Sequence, residues 1–150
     1  MNKKIFFIFI LLVALISISA VSAETKNVGG INFTIPEGYT QNEDFNSMEW
    51  LNVIPGTVLE ELTGEISAID YRNGQDVFVV MALPSNVTAI GDIFETGDAK
   101  KTISGKDGLL SPAQTNPDVN QYVSFKYVEN GYIYVVVASN ESIIENAIPT

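Results

Sequence analysis

Residues 121–150 read QYVSFKYVEN GYIYVVVASN ESIIENAIPT, and this stretch decides the architecture. Aromatic and β-branched runs lie on either side of Asn130-Gly131, the dipeptide favoured in two-residue hairpin loops because both central residues take positive φ. A turn there sets Tyr127 opposite Tyr134, Phe125 opposite Val136 and Val123 opposite Ala138 on one side of the sheet. Val128 with Ile133, Lys126 with Val135 and Ser124 with Val137 then share the other side. Both sides are largely apolar, so the pattern predicts interior strands covered on two faces. Ser139 or Asn140 opens a helix, with Glu141 suited to the positive end of its dipole. Ile143, Ile144, Ala147 and Ile148 form its buried stripe.

Upstream, EISAIDYR (65–72) and QDVFVVMAL (75–83) flank Asn73-Gly74 and predict a second hairpin. With a loop at Asn73-Gly74, Tyr71 faces Asp76, Ile69 faces Phe78 and Ser67 faces Val80. Ala68 with Val79 and Ile66 with Met81 take the opposite side. Pro84 stops the second strand, and Val87, Ile90, Ile93 and Phe94 form a stripe that predicts a weak helix over 87–94. The two units share an order: strand, Asn-Gly, strand, Ser-Asn (Ser85-Asn86 and Ser139-Asn140), helix. A strand–strand–helix repeat is one reading. The other is that any hairpin followed by a capped helix looks this way.

The remaining segments are shorter. Gly30 to Pro36 (GINFTIP) alternates, with Ile31, Phe33 and Ile35 on one face, and predicts a half-buried strand after a polar lead-in over 24–29. Thr40 and Glu43 resemble a capping box for a short helix over 40–52 carrying Phe45, Met48 and Leu51, and the many Asn and Asp residues there make a structured loop the other reading. Lys100 to Ser104 and Leu109-Leu110 read as short strands around a turn over 105–108, and 111–120 reads as a loop. The expected fold is α+β: a single antiparallel sheet of about 5–7 strands with two or three helices packed on it.

The N-terminus reads as a targeting segment. Lys3 and Lys4 precede the unbroken apolar run Ile5 to Ile16, and Val21-Ser22-Ala23 offers a small-residue cleavage site. Cleavage after Ala23 makes residues 1–23 a signal peptide and 24–150 one exported domain. The same residues also allow an uncleaved membrane anchor, since Lys4 and Glu24 bracket a charge-free stretch near the ~20 residues that span a bilayer. With no Cys, the exported domain has neither disulfides nor thiolate chemistry, and its core alone must hold it. Removing Lys3 and Lys4 from 8 basic residues leaves 6 against 18 acidic ones, a net charge of 6 − 18 = −12. That argues against nucleic acid and anionic membrane surfaces, which are bound through Lys and Arg.

The chain has no His, which removes imidazole catalysis and the usual zinc and copper sites. No catalytic residue, metal ligand or cofactor is nominated. Asn42-Glu43-Asp44-Phe45-Asn46 and Asn116-Pro117-Asp118-Val119-Asn120 have calcium-loop alternation but lack the Gly and the terminal Glu of such loops, so turn chemistry is their expected role. Three sequons make Asn86, Asn32 and Asn140 candidate glycosylation sites in an exported chain whose host has the machinery, with Asn86 ranked first. Asn86 and Asn140 both sit where a strand meets a helix and an amide makes an N-cap. Trp50 and Tyr39 are candidates for stacking on a ligand, although a Trp in an acidic loop is also what a plug over a sheet edge looks like.

Three stretches carry a family resemblance: GINFTIPEGY (30–39), KKTISGKDG (100–108) and YVSFKYVENGYIYVVVASNESIIENAI (122–148). They are similar to small exported proteins of methanogenic archaea, domains that resemble the PsbP-like α+β class. The resemblance implies a sheet with helices on it and an extracytoplasmic location, and no functional residue transfers. The functional expectation is a non-catalytic binding or accessory module whose partner is an envelope protein or polymer. The alternatives are a carboxylate-based hydrolase of envelope polymer, or a membrane-tethered structural protein if the leader stays on.

Overall fold

The computed structural model describes residues 22–150, so the expected leader lies outside the described residues apart from Ser22 and Ala23. Ten strands appear among the described residues: β1 (Thr25–Val28), β2 (Ile31–Thr34), β3 (Thr40–Gln41), β4 (Ser67–Asn73), β5 (Asp76–Pro84), β6 (Ala99–Ile103), β7 (Lys106–Leu110), β8 (Gln114–Asn116), β9 (Val119–Glu129) and β10 (Tyr132–Ala138). Helical structure among the described residues is limited to two short α-helices, α1 (Gly56–Leu59) and α2 (Glu141–Ala147), and two 3₁₀ segments, Ser47–Val53 and Ile90–Ile93. β1 and β2 form a separate two-stranded ribbon. The other strands make an eight-stranded antiparallel sheet in the order β3-β4-β5-β10-β9-β7-β6, with β8 also paired to β9.

The protein is therefore mostly β. This overturns the expected α+β fold with two or three helices packed on a 5–7-stranded sheet. Two causes account for the difference. Segments that read as lead-in, turn or loop pair as strands: Thr25–Val28 with β2, Lys106–Gly108 within β7, and Gln114–Asn116 with β9. Short polar strands of this kind carry no apolar alternation, and a partner fixes them rather than their own sequence. Meanwhile the expected helices shrink to one or two turns. The Thr40–Glu43 box does not form. Instead Asn46 caps the 3₁₀ segment, its side chain accepting from Met48 N at 3.2 Å. The 87–94 stripe is helical only over Ile90–Ile93, around Gly91.

The terminal hairpin has the expected register, with Tyr127 opposite Tyr134 and Val123 opposite Ala138, and its turn residues Asn130 and Gly131 have φ of 50° and 81°. The other hairpin turns one residue later. Asn73 pairs Asp76 and the loop is Gly74-Gln75, with positive φ (60°) at Gly74 alone, as a turn with Gly in its first central position requires. Tyr71 therefore faces Phe78 rather than Asp76, and Ile69 faces Val80 rather than Phe78. The slip is two residues, so every side chain keeps its expected face.

With these registers the two hairpins coincide under one shift. Tyr71↔Phe78 corresponds to Tyr127↔Tyr134, since 127 − 71 and 134 − 78 are both 56. β5 and β10 pair antiparallel at the centre of the sheet, so the hairpins face each other about a local two-fold. The third element breaks the relation. After β5 the chain packs Val87 and Ile93 on one face, whereas after β10 helix α2 packs Ile144 on the other. The repeat covers strand and strand, not strand–strand–helix.

Each face of the sheet has its own core. Phe78, Val80, Phe125, Tyr127, Tyr134 and Val136 lie on the first face under Val28 and Phe33 of the ribbon and Ile144 of α2. Val77, Val79, Met81, Ile133, Val135 and Val137 lie on the second under Trp50, Leu51, Val53, Val58 and Ile93. Each fully buried Val, Phe or Met contributes about 1.5–3 kcal/mol relative to exposure, which explains how a chain without disulfides holds two layers onto one sheet. Among the described residues no helix is long and apolar enough to cross a membrane.

Candidate functional site

A concavity of about 500 Å³ opens at one end of the first face. Three pieces of chain build it. Pro36 ends the strand direction of β2, and Gly38, at φ 81°, turns the chain back so that Tyr39 N donates to Pro36 O at 3.3 Å. Helix α2 supplies Ile143, Asn146 and Ala147 as the facing wall. It is set in place by Asn140, which accepts from Ile143 N at 3.1 Å, by the Lys101–Glu141 ion pair, and by Ser104 Oγ donating to Glu145 O at 3.0 Å. The third piece is the start of the ribbon, where Ile35 N donates to Glu24 O at 2.8 Å.

Ile35, Pro36, Ile143 and Ala147 give the groove an apolar lining, and Glu24 and Glu37 are the charged residues on it. Glu24 is already engaged: Oε1 accepts from Tyr71 Oη at 3.2 Å and pairs with Lys26 Nζ at 3.2 Å. The hydrogen bond to Glu24 holds the Lys26 ammonium above its ordinary pKa. Burial, reinforced by the Glu24 carboxylate, raises the Tyr71 phenol. Glu37 is exposed. Tyr39 is half-buried against the first core, and burial first, then the Asp76 carboxylate, raises its phenol. A wall of apolar side chains with carboxylates beside it and no basic residue on it suits an apolar ligand, uncharged or cationic, and disfavours an anion.

The residues nominated from sequence go to separate places. Tyr39 lines this groove, and so do Ser22 and Ala23, the residues before the expected cleavage point. Trp50 is 2% exposed in the second-face core. Its ring meets Tyr122 edge-on at 5.2 Å, and the Arg72 guanidinium lies 5.3 Å from its centroid. Arg72 in turn grips the buried Asp70 with two bonds of 2.6 and 2.7 Å, and Asn42 Nδ2 donates to the same carboxylate at 2.8 Å. Asn32 is on the outer side of the ribbon, accepting from Asn27 Nδ2 at 2.8 Å, and Asn140 is the α2 cap. Asn86 caps nothing, because the 3₁₀ segment begins after Ala89. In the two calcium-like stretches Asn42 and Asn116 accept from the backbone N–H of Asp44 (3.3 Å) and Asp118 (3.0 Å), forming Asx turns.

One polar feature escaped the sequence. Lys126, on the second face of β9, is wholly buried and pairs with the equally buried Asp98 at 2.7 Å, while also donating to Val53 O. Lys126 sits in a strand whose neighbours on that face are Ser124 and Val128, and a lysine there demands a counter-ion. That signal was readable; the identity of its partner was not. The pair ties the loop before β6 to the Ser47–Val53 cap. Comparison with family models, curated proteins and solved structures returns no match.

Proposed function

We propose that this domain works outside the cytoplasm as a non-catalytic binding module at the cell envelope, holding a short apolar segment of an envelope polypeptide in the groove beside Tyr39. The observation that carries the reading is the groove itself: about 500 Å³, with Ile35 and Pro36 on one wall, Ile143 and Ala147 on the other, and Glu24 and Glu37 as the charged residues among its described lining. The leader-like residues 1–23 and the absence of Cys and His support an exported domain that binds rather than reacts. Cleavage after Ala23 removes Ser22 and Ala23 from the groove lip and opens it further.

Intact-mass measurement of the exported protein tests the location: a chain beginning at Glu24 is expected, and one beginning at Met1 replaces the secreted reading with a tethered one. Retention of envelope polypeptides on immobilised protein tests the groove. Wild type retains a partner above background, and Ile143→Glu, with its fold checked by circular dichroism, does not. Equal retention by both proteins overturns the groove as the binding site.

A further inference from the structure

We propose that Asn86 is the acceptor of an N-linked glycan, and that it outcompetes the other two sequons of the chain. This rests on export but not on what the groove binds. All three sequons satisfy the Asn-x-Ser/Thr rule, so the motif alone does not separate them, and sequence context only ranks Asn86 first. Their surroundings can. Asn32 lies within the β1–β2 pairing, opposite Asn27, with its side-chain oxygen hydrogen-bonded across the ribbon. Asn140 caps α2, and losing a cap costs about 1 kcal/mol. A glycan at either site must displace an existing contact.

Asn86 has no such tie. It is exposed, and its side chain makes no hydrogen bond among the described residues. Residues 86–89 belong to no helix or strand, and Ala89 is extended at φ −114°, ψ 131°. The segment is nevertheless held in place. Ser85 is buried and its N–H donates to Gly131 O at 2.9 Å, while Val87 N donates to Ser85 Oγ at 3.1 Å and its side chain packs on the second core. Asn86 and Thr88 therefore alternate outward as Ser85 and Val87 turn inward. A glycosyltransferase must reach the amide and the hydroxyl two residues on together, and here both are exposed on one irregular surface segment between β5 and the Ile90–Ile93 turn. In the transfer, the Asn86 amide nitrogen bonds to the anomeric carbon of a lipid-phosphate-linked oligosaccharide. The bond from that carbon to the phosphate oxygen breaks, the phosphate leaves with the electron pair, and the amide gives up one proton.

The test is to direct the full chain into the secretory pathway of cultured human cells with an added secretory leader, so that entry does not depend on residues 1–23. Wild type, N32Q and N140Q are expected to carry glycan mass that peptide-N-glycosidase removes, converting the asparagine at position 86 to aspartate. N86Q and T88A are expected to lack most of it. Glycan mass persisting in N86Q at the wild-type level, equal or greater occupancy at Asn32 or Asn140, or an unmodified wild-type chain beside a glycosylated control protein overturns the proposal.

Discussion

Lys126 and Asp98 face each other with almost no solvent between the sheet and its cap. Removing one member leaves the other charge buried and unpaired, which costs about 3–5 kcal/mol. Asp98→Ala is expected to lower the unfolding free energy read from urea denaturation by that amount. The apolar pair Lys126→Met with Asp98→Leu is expected to recover most of it, because desolvating both charges offsets much of their attraction. An unchanged midpoint in Asp98→Ala means that water reaches the lysine. A titrating group lies on the opposite face. Burial, aided by the Glu129 carboxylate, pushes the Tyr134 phenol up to about 12, against about 10 in an unfolded chain. The folded protein thus resists ionising a group that the unfolded chain ionises. The stability Tyr134 provides is complete below pH ~10 and is lost as pH rises toward 12. Melting temperature is expected to fall across that window, and Tyr134→Phe to make the fall shallower. Single residues were legible where a partner was close in sequence, as with Asn140, which caps the helix through Ile143 N three residues on. They were illegible where the partner came from a distant loop, as with Asp98.

The ribbon and α2 are the elements that make the groove, and each hangs on one residue. At Gly29 the backbone has φ 59°, and a Cβ would lie 2.5 Å from Ala82 Cβ. Tyr134 Oη also donates to Gly29 O at 2.5 Å, fixing the ribbon turn to the sheet. Gly29→Ala combines backbone strain with overpacking, and together these are expected to cost about 2–4 kcal/mol, read as a lowered unfolding midpoint. In α2, Asn140→Ala removes the cap and is expected to cost about 1 kcal/mol. Because α2 is also a groove wall, the same variant is expected to weaken retention of the envelope partner. Both hairpins were legible because β-branched runs on either side of a Gly turn leave little choice of structure. Register was legible only where both turn residues fixed it, as at Asn130-Gly131. Asn73-Gly74 offered two adjacent loops, and the chain takes the one that pairs Asn73 with Asp76. The helices were over-read because apolar residues at helical spacing in 40–52 and 87–94 also suit a 3₁₀ turn pressed onto a sheet face. The groove was illegible apart from Tyr39, since its walls come from opposite ends of the chain.

At the scale of the whole molecule, self-repulsion acts against compactness. With 6 basic and 18 acidic side chains from Glu24 onward, the folded domain concentrates a net charge of −12, and salt screens it over a Debye length of about 10 Å at 0.1 M. Melting temperature is expected to rise as sodium chloride is increased from about 0.01 to 0.15 M, where that length shortens from about 30 to 8 Å. A flat response assigns the repulsion no role in stability. The seam between the two hairpins has a consequence for the order in which the chain can fold. β5, with Val77 to Leu83 wholly buried, sits in the middle of the sheet, yet one of its two partners is β10, the last strand to emerge. Until residues 132–138 arrive, β5 presents a bare apolar edge, which invites pairing with a neighbouring chain. A chain exported N-terminus first, as proposed above, must therefore keep that edge from meeting another copy through most of its passage. The domain closes only when its final hairpin is through.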